Sequence, residues 1–208
     1  MKAPNIIKPH VTPRKNPKQE RSRELVHTIL QATAHILDRG GLEAFNTNEI
    51  ARVAGVSIGS VYQFFPNKDS ILAAYVDRQM TLDFNRIIEL LTSQRAAPKE
   101  LLIESLVQEL IDIFCRNRKL RQIIYQEGPR LELLKRREGY IREVRQMLRS
   151  ILFEEKFANE NQVKSFEVVF RAVMGVIISS FTDDSFNFSP LEMKKQLLRL
   201  FSMCFDSD

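Results

Sequence analysis

Along the body of the chain, apolar side chains recur three and four positions apart, in stretches punctuated by Pro66, Pro98, Pro129 and Pro190. That spacing lines one face of an α-helix. From Leu25, the residues Val26, Ile29, Thr33, Ile36 and Leu37 keep one face apolar as far as Gly40-Gly41. Glycine accepts the left-handed cap conformation, so a first helix is predicted over residues 20–39. Asn46 followed by Glu49 is an N-cap pair of capping-box type, opening a short helix over 47–53. Ala54-Gly55-Val56 is too small and flexible to continue it, and Ser57 caps a third helix over 58–65 that Pro66 ends. Asn67 caps a long fourth helix over 68–95, and further helices are predicted over 99–116, 118–127, 130–157, 160–182 and 190–205. The pattern predicts an all-α chain without internal repeats.

Composition agrees with this. The 208 residues leave room for one or two modest domains, and only seven are glycine, too few for a turn-rich β protein. The longest uncharged stretch of the apolar C-terminal region, Ala172–Thr182, has 11 residues, against the roughly 20 that a membrane span needs. No transmembrane segment is therefore expected. The first ten residues (MKAPNIIKPH) lack the apolar core of a secretory signal, so a cytoplasmic location is expected. Cys115 and Cys204 each sit beside a phenylalanine on an apolar helical pattern, the setting of buried, reduced thiols. His27 and His35, eight apart on the first helix, lack metal-ligand spacing, and His10 stands alone near the N-terminus. The chain shows no GxSxG, no HExxH and no phosphate-cradling glycine loop. No metal, no cofactor and no catalytic activity are expected.

Charge adds a further division. Residues 1–24 hold seven basic side chains against Glu20 and Glu24, which accounts for the whole net charge of +5. Pro4, Pro9, Pro13 and Pro17 break any helix in this stretch, so residues 1–19 read as an extended basic arm. Either the arm meets a polyanion or it is a solvating tail.

Two short helices joined by a glycine-bearing turn make a helix-turn-helix, whose second helix enters the major groove. The stretch Asn46-Thr47-Asn48-Glu49-Ile50-Ala51-Arg52-Val53-Ala54-Gly55-Val56-Ser57-Ile58-Gly59-Ser60-Val61-Tyr62-Gln63-Phe64-Phe65-Pro66-Asn67-Lys68 resembles the DNA-binding signature of TetR-like (tetracycline-repressor-like) transcriptional regulators. The resemblance is specific over about residues 20–72 and otherwise extends only to length and helix order. It implies a three-helix DNA-binding head at 20–67, a helical ligand-binding and dimerisation body at 68–208, and a homodimer joined by the last two long helices.

In the third helix Ile58, Val61 and Phe65 are expected to pack inward, leaving Gly59, Ser60 and Gln63 outward. Gly59 serves either close backbone approach to DNA or crowding against the second helix. Gln63 suits a bidentate contact to adenine, and Ser57 or Ser60 suits any base or phosphate; solvated polarity is the alternative. Tyr62, by resemblance, reaches a phosphate, or else it packs in the core. Thr47, Asn48 and Lys68 stand at helix N-termini, where amides favour a phosphate and where ordinary capping also occurs. At Phe64 the chain departs from the tyrosine or histidine more usual in the family. No lysine or arginine lies between Val53 and Asn67, so affinity must come from phosphate contacts and from the arm, through Arg14, Lys15 and Lys18 among others.

In the body, Val163, Phe166, Phe170, Val173 and Ile177 make one apolar stripe of the eighth helix, and Val169, Ala172 and Val176 make another. A helix apolar all round must be covered all round. The last helix adds Leu191, Leu198 and Phe205 beside a first seam of Leu197, Leu200, Phe201 and Cys204. A two-fold dimer covers this surplus, with Ala172, Gly175 and Ser179 as its small-residue side; a central helix within a monomer is the alternative. An apolar effector pocket is expected from Phe84, Leu110, Phe114, Tyr125, Phe166, Phe170 and Met174, any of which also suits a solid core. Glu109 stands at its edge, as a ligand contact or in a salt bridge. Arg171, one turn after Glu167, is either that residue's ion-pair partner or a ligand clamp. The reading is a homodimeric repressor that binds a palindromic DNA operator and is released by a small hydrophobic molecule. Its rival is a helical binding protein or enzyme on the same scaffold that does not use DNA. A membrane-surface role is disfavoured because the arm has no apolar face to insert.

Overall fold

A computed structural model of the chain describes residues 20–115, 118–153 and 160–204. Among the described residues there are nine helices and no strand: α1 (Glu20–Gly40), α2 (Thr47–Ala54), α3 (Ile58–Phe64), α4 (Lys68–Ser93), α5 (Lys99–Cys115), α6 (Arg118–Glu127), α7 (Leu134–Leu152), α8 (Glu160–Thr182) and α9 (Pro190–Ser202). They fall into two compact units, Met1–Met80 with Ile123–Leu134, and Thr81–Gln122 with Lys135–Asp208.

In the first unit α1 packs on α2 and α2 on α3. Ile29, Ile36, Leu37, Phe45, Ile50, Val61, Phe64, Phe65, Ile71, Leu72 and Leu131 are buried. Local chemistry sets the joints. Gly55 closes α2 at φ 66, a left-handed cap that favours glycine. Ser57 accepts the Ser60 amide at 3.0 Å to open α3, and Asn67 accepts the Ser70 amide at 2.9 Å to open α4. The Asn46–Glu49 pair makes only half a capping box: Asn46 Oδ1 accepts the Glu49 amide at 2.9 Å, while the Glu49 carboxylate turns to Arg52. The arginine wins because a bidentate charged pair is stronger than a bond to a neutral amide. Arg130 holds Asp69 at the start of α4, with two bonds of 2.8 and 3.0 Å, and also takes Glu127 at 2.7 Å.

Two expectations for this unit need correction. Ile58 does not pack inward but stands 38% exposed at the start of α3. Its place is taken by Phe64, and Phe65 is buried from the extended C-cap (φ −123, ψ 115) rather than from the helix. The seventh helix begins at Leu134, not at 130, because Gly128–Leu133 form a turn in which the Leu133 amide bonds back to Gly128 O at 3.0 Å. Glu132 sits there at φ 59, which is incompatible with a continuing helix.

In the second unit α8 packs on α5 and α9, and α5 on α9. One continuous core holds Leu102, Leu106, Val107, Leu110, Ile113, Leu148, Leu152, Phe166, Phe170, Val173, Ile177, Leu197 and Phe201. A buried ion pair joins α4 to α6: Arg121 donates to both oxygens of Asp83, its Nε donates to Ile113 O at 3.1 Å, and its guanidinium covers the Phe114 ring at 5.2 Å. Burial raises the Asp83 carboxyl above its ordinary 3.8, against the pull of Arg121 and Arg86.

α8 bears on the expectation of no transmembrane segment. Its 23 residues include an 18-residue window of mean hydropathy 1.5, long and apolar enough to cross a bilayer by length and composition. Here its inner face, Phe166, Val169, Phe170, Val173, Ile177 and Phe181, is buried. Val169, expected on the second stripe, belongs to this core, and the exposed apolar residue is Val168.

Candidate nucleic-acid interface

α2 and α3 present the residues that the sequence singled out. Thr47 and Asn48 are the first two residues of α2, and Asn48 is exposed. The Thr47 hydroxyl lies 3.3 Å from that of Tyr62, which fixes the tyrosine ring against the start of α2. Tyr62 is 41% exposed, so it is not a core tyrosine. Gln63 and Ser57 are exposed as well, and Ser60 is half-buried. The Ser57 and Ser60 hydroxyls bond to each other at 2.8 Å, so capping uses part of their capacity. Lys68, the first residue of α4, is exposed. Phe64 is buried and has no surface to offer a phosphate.

Gly59 decides between its two explanations on geometry. A Cβ built there meets only Ser57 Oγ, at 3.7 Å, an ordinary van der Waals contact. Nothing in α2 crowds it. The glycine therefore leaves the unfolded chain more freedom to lose than alanine would, with no internal reason.

Sequence reasoning passed over Arg52, at the end of α2 and beside the α3 face in sequence. Its guanidinium makes bonds of 2.8 and 2.6 Å to Glu49 and lies largely in solvent. The Arg52 hydrogen bond holds the Glu49 carboxyl below its ordinary 4.5. The signal was present as an i, i+3 pair of opposite charge. The positions Arg14, Lys15, Lys18 and Phe205 lie outside the described residues, as does the Cys115 side chain.

The effector-site candidates do not form one lining. Leu110, Phe166 and Phe170 are core, with Phe114 and Met174 packed against them. Phe114 stacks on Phe181 at 5.9 Å, and Phe166 meets Phe153 at 5.8 Å and Phe170 at 5.9 Å. Phe84 stacks on Tyr140 at 4.4 Å, and Tyr125 belongs to the other unit. Glu109 pairs with Arg86 at 2.6 Å, and Arg171 with Glu167 at 2.6 Å, so each has the salt bridge that was its alternative explanation. Cys204 is buried, which pushes its thiol up to about 11.

Of the dimer candidates, Gly175 is exposed, Ala172, Ser179 and Leu198 are half-buried, and Leu191 is 64% exposed. Val168 (68%) and Met203 (58%) join this apolar surface. Between them lies a hollow of about 260 Å³ lined also by Lys164, Ser165 and Val169.

Residues 29–75 match the family described as bacterial regulatory proteins, tetR family. Two HTH-type transcriptional repressors named KstR are similar over part of the chain. That of Mycolicibacterium smegmatis is 37% identical over 60 residues and that of Mycobacterium tuberculosis 36% over 62. The matches span 29% and 30% of this chain, and 29% and 28% of those repressors' lengths. Among solved structures, a Mesorhizobium loti protein assigned to the TetR-family regulators superposes with a TM-score of 0.74 at 19% identity, over 90% of this chain and 98% of that one. A TetR/AcrR-family regulator of Thermobifida fusca does so with a TM-score of 0.63 at 17% identity, over 91% and 100%. Residues 29–75 thus carry the sequence of a tetR-family head, and the described residues share the fold of solved TetR-family regulators.

Proposed function

We propose that the chain is a DNA-binding transcriptional repressor that acts as a homodimer in the cytoplasm, with α3 in the major groove and a small hydrophobic molecule as its releasing signal. The observation that carries the DNA reading is Gly59: an exposed glycine inside a recognition-type helix, with open space where its side chain would be. A surface that forgoes helix stability for a bare backbone is suited to close approach by a partner from outside. Around it, Gln63 supplies a base-reading amide, and Tyr62, Thr47, Asn48 and Lys68 supply phosphate contacts at or near helix starts. The basic arm adds phosphate contacts through Arg14, Lys15 and Lys18.

The α8–α9 surface supports the dimer. Gly175 there also has nothing within 4 Å of an added Cβ, and Val168, Leu191 and Met203 leave apolar area for a second copy to cover. Effector release then requires reciprocity: a ligand that lowers DNA affinity must bind the DNA-bound form less well.

The test is capture of genomic DNA fragments by the intact chain and by the double variant Tyr62→Ala, Gln63→Ala. The repressor reading expects defined fragments from the parent and none from the variant. Capture of no defined fragment, with small-molecule binding unaltered by the two changes, supports the rival helical binding protein instead.

A further inference from the structure

The outward surface of α3 carries one aliphatic side chain that the fold leaves partly uncovered. Val61 and Phe64 fill the inward face of this helix, while Ile58 opens it with more than a third of its surface in water. Its neighbours are specific. On one side the Ser57 hydroxyl is engaged by the Ser60 amide and hydroxyl; on the other the Gly59 backbone lies bare. The surface there is thus a branched hydrocarbon beside uncovered backbone, with no charge anywhere on the helix.

In the major groove only one base edge is apolar, the 5-methyl group of thymine. A cytosine amino group or the guanine O6 and N7 atoms, placed against the same hydrocarbon, lose water and gain no partner. Resting on the DNA-binding reading above, we infer that Ile58 is a specificity-determining residue that packs on the methyl group of one thymine in each half-site. The polar side chains of the head then read or hold the remaining positions, and Ile58 sets the preference at this one.

The test uses a site selected from randomised DNA by the intact chain, resynthesised with deoxyuridine in place of each symmetric pair of thymines in turn. Deoxyuridine lacks the methyl group and changes nothing else on the base. One pair is expected to weaken binding about fourfold per half-site, the worth of one buried methyl. Ile58→Ala, with thermal unfolding to verify its fold, is expected to lose sensitivity at that pair and keep it unchanged elsewhere. The inference is overturned if no thymine in the selected site depends on its methyl group, or if Ile58→Ala keeps the parent's dependence. A chain that selects no sequence overturns both this inference and the DNA-binding reading; one that selects a site indifferent to thymine methyls overturns the inference alone.

Discussion

Replacing Gly59 by alanine sets stability and function against each other. The backbone at 59 is helical, and the new methyl group meets only Ser57 Oγ at 3.7 Å. No atom has to move, so the substitution removes only the excess freedom of glycine in the unfolded chain. That stabilises the head by about 0.5–1 kcal/mol. On DNA the same methyl group occupies space reserved for a base edge or a phosphate. Forcing one carbon into a well-packed contact costs about 1–3 kcal/mol, or roughly a 5- to 150-fold loss of affinity. Denaturant unfolding gives the first quantity, and fluorescence anisotropy on a selected operator gives the second. A destabilised variant with unchanged affinity shows that the fold itself needs the glycine. A stabilised variant with unchanged affinity shows that no partner approaches at this point. Either result shows that Gly59 is not kept for DNA.

Gln63→Ala is expected to change the consensus returned by randomised-site selection, whereas Lys68→Ala weakens all sequences about equally, since phosphate contacts carry no sequence information. Removal of residues 1–18 takes away five lysines or arginines, and titrations at several salt concentrations are expected to give a shallower dependence of affinity on salt. Gly175→Ala, whose added Cβ has nothing within 4 Å, is expected to leave the single chain's fold intact and shift the monomer–dimer balance towards monomer in analytical ultracentrifugation. Breaking the buried pair in the second unit separates its partners by pH. Asp83→Ala strands Arg121, which cannot neutralise itself, at a cost of about 3–5 kcal/mol across the pH range. In Arg121→Met the remaining carboxyl can take a proton. Its folded pKa, already raised by burial, rises further without Arg121, so the folded chain holds that proton more tightly than the unfolded one. The cost of Arg121→Met is therefore small below 3.8 and grows as pH rises through the folded value, which denaturant unfolding between pH 4 and 7 will show.

The helices were legible because proline, glycine and capping residues act locally. Ser57 and Asn67 cap where their sequence positions say they should, and Gly55 takes the left-handed conformation. The misses have local causes too. α3 is only seven residues long, too few turns for periodicity to tell Ile58 from Phe64 as the inward residue. Phe65 packs from an extended cap that no helical pattern describes. The start of α7 was misplaced because Glu132, a residue with no preference for positive φ, takes the left-handed conformation that ends the turn. In α8, apolar on nearly all sides, pattern alone could not separate buried Val169 from exposed Val168. Arg121 and Asp83 lie 38 positions apart and look in sequence like any two solvated charges. Of the candidate site, the motif located the short helices α2 and α3 and the start of α4 on which the head residues stand. How the proposed effector residues pack was not legible, because phenylalanines of a pocket and of a solid core have the same spacing.

Selection from a randomised duplex library by the intact chain decides whether the head reads DNA sequence as a dimer. A dimeric repressor enriches a two-fold symmetric site occupied by two chains, with half-sites spaced by about one helical turn or a multiple of it. Failure to enrich any sequence, or enrichment of an asymmetric site filled by a single chain, contradicts that reading.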